Sequence, residues 1–282
     1  MSPWVGLWLF AVSLCASGLG GMLGMASGIF IVPILTAFGI DIRTAIGASL
    51  LSVIACSCGS APPFLKGRLV NARLAIVLEV ATTPGALTGV LLVGVIPTAY
   101  LFFLFALVLA LSAQQMLGRR GEVVGATVGA DRWAAALRLD TSYPDHGRDV
   151  AYRVQRLPLG MLLMYGAGLI SALLGIGSGV LKVPAMDTAL RLPIKVSSAT
   201  SNFMIGVTAA ASAGAYLLRG DIAPAVAGPV ALGSVVGSLI GARILMAVAN
   251  ERVRLLFVVV LVALALQMAL SGFGIKPGGP SE

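Results

Sequence analysis

Residues 24–33 read Gly24-Met-Ala-Ser27-Gly28-Ile-Phe-Ile-Val-Pro33, and residues 175–184 read Gly175-Ile-Gly-Ser178-Gly179-Val-Leu-Lys182-Val-Pro184. The two copies align without a gap. In each, an apolar helical run of about five turns stops at a Gly/Ser cluster and resumes as a short apolar run. At membrane depth such an interruption leaves backbone groups unpaired, which is tolerated only where protein or a water-filled cavity covers them. We therefore expect both stretches to lie at the centre of a transport site.

The composition predicts an all-α polytopic membrane protein. The chain of 282 residues has 58% hydrophobic and 11% charged side chains and a mean hydropathy of +1.00, which is too apolar for a soluble domain. Apolar runs of roughly 20 residues recur, and each is long enough to cross a bilayer core of ~30 Å. The basic residues behind the net charge of +8 lie between these runs. This pattern indicates orientation in the membrane rather than nucleic-acid binding.

The apolar runs form two repeats of about four helical segments each, and the first segment of each repeat is interrupted. The first repeat covers 1–117, a polar segment covers 118–156, the second repeat covers 157–275, and 276–282 is a tail. No basic residue precedes the first run, so we expect it to be retained rather than cleaved as a signal peptide. The predicted segments are 3–38, 45–65, 72–95, 96–117, 157–190, 196–218, 222–248 and 253–273.

The distribution of Lys and Arg favours one of two topologies. If each interrupted run crosses the membrane, the 18 Lys and Arg other than Lys182 divide twelve against six between the two sides. If each run folds back as a re-entrant hairpin, they divide fifteen against three. The positive-inside rule favours the stronger asymmetry. It therefore favours re-entrant hairpins, inverted repeats, a cytoplasmic 118–156 segment and both termini outside.

The Gly/Ser clusters have the chemistry of an anion site. A half-helix that begins inside the membrane directs unpaired N–H groups and the positive end of its dipole towards the cavity. Serine adds a hydroxyl donor, and glycine lets an anion approach the backbone. The alternative is that the glycines only bend the chain and the serines only cap helices. The candidate residues are Gly24, Ser27, Gly28, Gly175, Ser178 and Gly179, and Pro33 and Pro184 are the expected helix-breaking prolines.

Two charged residues lie deep in apolar runs. Lys182 follows Ser178 by one helical turn on the same face, so its ammonium is a candidate anion ligand. The alternative is that Lys182 snorkels to the membrane interface. Glu79 lies midway along a predicted segment and is a candidate carrier of a coupling proton. Alternatively, Glu79 is the structural partner of Lys182 or of Arg73.

The segment after each interrupted run adds polar side chains. Ser49, Thr200, Ser201 and Asn202 are candidate substrate donors, with hydrogen bonding between helices as the alternative. The cysteines and the single histidine form no cluster with metal-ligand spacing, and no nucleophile and base pair is apparent. We therefore expect no metal, no cofactor and no enzymatic activity.

The pattern Gly24-x2-Ser27-Gly28-x4-Pro33 followed by Gly47-Ala-Ser49, repeated about 150 residues later across a polar segment, resembles the sulfite exporter TauE/SafE family. The resemblance covers nearly the whole chain. It implies a multi-pass bacterial inner-membrane protein that moves a small sulfur-containing anion, such as sulfite, sulfoacetate or another organosulfonate. It implies a secondary transporter working by alternating access in the direction of export. A passive anion channel and a carrier for a different small organic anion are the alternatives, and the oligomeric state is left open.

Overall fold

The computed structural model describes residues 3–25, 27–40, 42–92, 106–107, 110, 113–114, 117, 131–145, 148–174, 178–218 and 222–272. Most of the predicted 96–117 segment, the 276–282 tail and the candidate residue Gly175 lie outside these ranges. The described chain is mostly helical, as the composition predicts. Its elements are α1 (Pro3–Leu23), α2 (Gly28–Ala37), α3 (Ile42–Lys66), α4 (Ala72–Leu92), α5 (Arg132–Ala136), β1 (Thr141–Asp145), β2 (Arg148–Tyr152), α6 (Leu157–Leu174), α7 (Gly179–Thr188), α8 (Ile194–Leu218), α9 (Pro224–Ala247) and α10 (Asn250–Gly272).

Several of these helices suit a bilayer. Within the described ranges, three helical stretches are long and apolar enough to cross a membrane, judged by length and composition. They are Trp4–Leu23, Gly47–Lys66 and Pro224–Ala247, and a shorter apolar helix covers Leu157–Ser171. These helices support the expectation of a membrane protein.

The first predicted interruption is a real helix end. α1 stops at Leu23 and α2 begins at Gly28, and Gly24 adopts a left-handed φ of +71° that side-chain-bearing residues avoid. The expectation that prolines break the helices is wrong, because Pro33 and Pro184 lie inside α2 and α7. The break between α1 and α2 therefore lies at the Gly/Ser cluster and not at Pro33.

Both interrupted runs fold back on themselves. The ring of Phe38, just after α2, lies 4.2 Å from the ring of Trp8 near the start of α1, measured between centroids. In the later run, the backbone N–H of Gln155, just before α6, donates to the carbonyl of Leu190, just after α7, at 3.2 Å. The short helices α2 and α7, each 10 residues or about 15 Å long, thus return towards the end where their run began.

A row of glycines lets α9 lie directly against α1. An added Cβ on Gly233, Gly237 or Gly241 would overlap a backbone carbonyl of α1. The partners advance in the same direction along both helices, so the two run parallel. Small residues spaced four apart in this way let two membrane helices approach closely. The carbonyls belong, in the same order, to Phe10, Leu14 and Gly18.

The described part of the 118–156 segment is folded rather than an extended loop. The strands β1 and β2 form an antiparallel hairpin in which Thr141 faces Tyr152, and the side chain of Tyr143 is fully buried. The carboxylate of Asp131 accepts a hydrogen bond from the backbone N–H of Leu157 at 2.7 Å and so caps the start of α6. The hairpin therefore packs on the helical bundle.

Asn71 fixes the hairpin to the turn between α3 and α4. Its amide donates to the carbonyl of Leu139 at 2.8 Å and to the hydroxyl of Tyr152 at 3.3 Å, and its backbone N–H donates to Thr200 at 3.2 Å. Burial raises the pKa of the Tyr152 phenol, although the hydrogen bond from Asn71 opposes this rise. The phenol consequently stays neutral and keeps its hydrogen bonds at physiological pH.

Four turns around this hairpin use arginine in a left-handed backbone conformation. The φ angles are 52° at Arg68, 50° at Arg138, 48° at Arg156 and 55° at Arg191. Each follows or precedes a helix by a few residues. The side chain of Arg68 also forms an exposed ion pair with Asp149 at 3.0 Å, a contact worth little in stability.

We predict that Gly237→Ala destabilises the protein by about 1–3 kcal/mol, because the new methyl group pushes α9 away from the Leu14 carbonyl. Thermal unfolding in detergent measures this loss. The matched control is Gly228→Ala on the same helix, where an added Cβ has no neighbour within 4 Å. This control should unfold at the wild-type temperature or slightly above it. Equal unfolding temperatures for the two variants would contradict the packing argument.

Candidate functional site

A buried ion pair joins α4 and α7. The side chain of Lys182 is fully buried, and its Nζ donates to Oε2 of Glu79 at 3.1 Å. Lys182 Nζ also lies 3.4 Å from Oγ1 of Thr208 on α8, and this hydroxyl donates a short hydrogen bond to Oε1 of Glu79. The three side chains form a closed network, which we call the Lys182 triad. The snorkelling interpretation of Lys182 is therefore wrong, and its partner is Glu79.

The local chain explains the position of the lysine. The carbonyl of Ser178 accepts the backbone N–H of Lys182 at 3.0 Å, which starts the first turn of α7. Lys182 thus lies one turn from the positive end of this helix dipole. A fully buried cation without a partner would cost several kcal/mol, so the carboxylate of Glu79 is required to keep this ammonium inside the protein.

The two members of the pair differ in exposure. The side chain of Glu79 is 14% exposed, whereas that of Lys182 is 0% exposed. The carboxylate is therefore the more accessible member of the pair. Thr208, which completes the triad, was not among the predicted residues. It follows Ser201 by two helical turns on the same face of α8, and this spacing is the signal that would have identified it.

A cluster of hydroxyl groups surrounds the first interruption. The Oγ atom of Ser52 lies 2.8 Å from that of Ser27, 2.6 Å from that of Ser234 and 3.5 Å from that of Ser17. All four side chains are fully buried and come from α1, the interruption itself, α3 and α9. The prediction included only Ser27. Ser52 follows the predicted Ser49 by one turn on α3, so helical spacing gives a signal for Ser52 but not for the other two residues.

Two predicted donors on α8 complete the end of α1. Ser201 Oγ donates to the carbonyl of Gly24 at 2.8 Å, and Asn202 Nδ2 donates to the carbonyl of Gly21 at 2.7 Å. The last carbonyls of a helix have no partner within it. Ser201 and Asn202 supply those partners at a place where water is excluded. Thr200, the third predicted donor, instead accepts the backbone N–H of Asn71.

Other predicted residues lie next to the two short helices. Gly28 begins α2 so close to Ser49 that an added Cβ would overlap the Ser49 hydroxyl. Ser178 precedes α7, is 4% exposed and makes no side-chain cap hydrogen bond. Gly179 is buried at the start of α7. The expected meeting of the two helix starts in one anion cradle stays a prediction.

The surroundings of the two short helices are chemically unequal. Ile31 aligns with Lys182 in the sequence and is fully buried in an apolar cluster with Leu9 and Val226. The start of α2 is thus surrounded by hydroxyl groups and hydrocarbon, whereas α7 carries a buried charge pair. The difference in sequence between the two copies is therefore also a difference in electrostatics.

A second buried ion pair lies at the other end of α7. Arg254 Nη2 on α10 donates to Oδ1 of Asp187 at 3.1 Å, and the side chain of Asp187 is fully buried. Sequence reasoning missed this pair. The sequence feature that could have indicated this pair is Asp187, an acidic residue in the same short apolar helix as Lys182. The pair attaches the end of α7 to α10.

Interrupted helices that fold back in a bundle, with a buried cation beside a helix start, are typical of membrane transport proteins. A model of the sulfite exporter TauE/SafE family matches residues 9–268, and the chain belongs to this family. The chain is 26% identical over 276 residues to a protein described as "Probable membrane transporter protein YunE" from Bacillus subtilis (strain 168). That alignment covers 94% of this chain and 97% of the relative. No solved structure matches.

We predict that Glu79→Gln lowers the free energy of unfolding by about 3–5 kcal/mol, because it leaves the fully buried Lys182 ammonium without a counter-charge. The double variant Glu79→Gln/Lys182→Met removes both charges and should recover much of this loss. Thermal unfolding of the two variants in detergent, without added anion, measures the difference. A double variant less stable than Glu79→Gln would contradict the assignment of this pair.

Proposed function

We propose that the protein is a secondary transporter that moves a small sulfur-containing anion, such as sulfite, sulfoacetate or a related organosulfonate, out of the cell. The description of the family as sulfite exporters supports the class of anion and the direction. The bacterial inner membrane is the proposed location, in keeping with the apolar helices and the bacterial relative. The proposal is for a carrier rather than an enzyme.

The observation that carries this proposal is the fully buried ammonium of Lys182, one turn beyond the start of α7. The first N–H groups of a helix lack intrahelical partners and attract anions, and a lysine beside them adds a full positive charge. A sulfonate or sulfite group has oxygens that can accept hydrogen bonds from both sources. We assign the anion to the ammonium of Lys182, the backbone at Gly179 and the hydroxyl of Ser178.

The residues around the first interruption receive two roles in this proposal. Ser27 and Gly28, with Ser49 beside them, supply neutral donors to the anion when the carrier opens. Ser201 and Asn202 act as positioning residues, because they hold the carbonyls of Gly24 and Gly21 and so fix the end of α1. Thr200 is also a positioning residue, because its hydroxyl accepts the backbone N–H of Asn71 in the turn between α3 and α4.

Alternating access is the proposed mechanism, with two inverted repeats as its framework. The fold supports this arrangement, since each first segment folds back, α2 and α7 are both 10 residues long, and α3 and α8 are both 25 residues long. In such carriers one bundle rocks against the other around a fixed central site. The complete burial of Lys182 fits a closed state of a carrier better than an open channel.

We predict that purified protein in proteoliposomes gives saturable flux of sulfite or sulfoacetate, and that Lys182→Ala reduces this flux at least tenfold through loss of the buried cation. The matched control is Lys66→Ala, which removes an exposed lysine at the end of α3. This control should retain wild-type flux. Undiminished flux in Lys182→Ala would remove Lys182 from the site, and non-saturating flux would favour the passive channel.

The proposed topology places the hairpin of β1 and β2 in the cytoplasm. We predict that Thr141→Cys, at an exposed position of β1, reacts with a membrane-impermeant maleimide only after the cells are opened. Cys15, Cys56 and Cys58 are replaced by serine or alanine first, since two of them are exposed on the protein surface. Labelling of intact cells would overturn this orientation.

A further inference from the structure

We infer that Glu79 and the substrate anion compete for Lys182, so that the site binds an anion together with one proton. The inference rests on the proposed function in one respect, which is that Lys182 is the cation that binds the anion. It adds the identity of the coupling ion and the direction of the coupling. Its basis is the geometry of the Lys182 triad.

The ionised carboxylate occupies the place that an anion needs. Lys182 Nζ is fully buried and lies 3.1 Å from Oε2 of Glu79. An anion bound to the same ammonium would lie within a few ångströms of the carboxylate, and like charges at such distances in a buried site repel strongly. Protonation of Glu79 removes this repulsion and frees the ammonium. Proton and anion therefore favour each other's binding.

Thr208 allows Glu79 to hold its proton inside the protein. The Thr208 hydroxyl has one hydrogen, and its acceptors among the described residues include Oε1 of Glu79 and the carbonyl of Met204 at 3.0 Å. While Glu79 is ionised, this hydrogen points to the carboxylate. When Glu79 is protonated, its O–H donates to Thr208 Oγ1, and the threonine hydrogen turns to the Met204 carbonyl. Thr208 is thus a positioning residue for both protonation states.

Among the described residues, the charged and titratable groups around Glu79 are Lys182 and, further away, Tyr165, Arg73 and Lys195. From α7, Lys182 faces Glu79, and from α8 the facing group is the neutral Thr208. From α6, the hydroxyl of Tyr165 is 3.0 Å from that of Thr88, which lies about two and a half turns beyond Glu79 on α4. Arg73 on α4 is exposed, and Lys195 lies thirteen residues before Thr208 on α8, which is about 20 Å.

Charge is balanced in this exchange. Before binding, the site contains one ammonium and one carboxylate; after binding, it contains the ammonium, a neutral carboxylic acid and the bound anion. For a monovalent anion the net charge of the site is zero in both states. The membrane voltage therefore does not drive the loaded site in either direction. The anion then moves from the side where the product of proton and anion concentrations is larger to the side where it is smaller. When the outside is more acidic, export therefore requires the ratio of internal to external anion concentration to exceed the ratio of external to internal proton concentration.

The test uses methanesulfonate, a permanent monoanion, because sulfite itself titrates near neutral pH. Its affinity for the detergent-purified full chain is measured by calorimetry from mildly acidic to mildly alkaline pH. We expect binding to weaken about tenfold per pH unit on the alkaline side, which is the slope for one linked proton. Glu79→Gln should bind at all these pH values as tightly as wild type does under acidic conditions.

The Thr208 variants give an independent measurement. Thr208→Val removes a donor to the carboxylate, and such bonds favour the charged form. Its loss should move the decline in affinity to higher pH, and Thr208→Ser should restore the wild-type profile. A wild-type affinity that does not change with pH, or Thr208→Val and Thr208→Ser profiles that coincide, would overturn the proton exchange.

The same experiment separates this inference from the proposed function. Lys182→Ala should lose methanesulfonate binding at every pH. Binding that survives in Lys182→Ala would overturn the anion site itself. Binding that is lost in Lys182→Ala but is independent of pH in wild type would leave the anion site standing and remove only the coupled proton.

Discussion

The structure depends on finding partners for a backbone that is interrupted in apolar surroundings. When α1 ends at Leu23, the carbonyls of its last turn lose their helical partners, and that of Gly20 is paired with the backbone N–H of Met25 at 3.0 Å. The side chains of Ser201 and Asn202 on α8 donate hydrogen bonds to the carbonyls of Gly24 and Gly21 at this helix end. Gly24 lies so close to the backbone of Ser198 that an added Cβ would overlap it. The interruption is therefore stable only while α8 is packed against it.

This requirement gives α8 a double role. Its first half holds the end of α1, and one further residue, Thr208, joins the ion pair of Glu79 and Lys182 about two turns later. The same helix is linked through Thr200 to Asn71, which in turn holds the hairpin. A shift of α8 would thus disturb the first interruption, the buried charges and the hairpin together.

Much of this fold could be predicted from the sequence, because membrane helices are long, apolar and bounded by polar turns. The predicted interruption at Gly24 and the predicted segments other than 96–117 agree with the described helix ends within a few residues. Periodicity also placed Lys182 beside a helix start. It could not show that Glu79, 103 residues earlier, would contact that lysine. Ser17 and Ser234 were missed for the same reason, since their meeting with Ser52 depends on how three helices pack.

The four left-handed arginines expose a conflict between folding and membrane insertion. At each of these turns a glycine would adopt the observed φ without strain. For arginine the left-handed conformation is less favourable by roughly 1–2 kcal/mol. All four belong to the end of the bundle that contacts the hairpin. Insertion machinery reads positive charge in the short segments that flank a helix. Arginine at these turns thus places positive charge where the chain must bend, although its backbone is strained there.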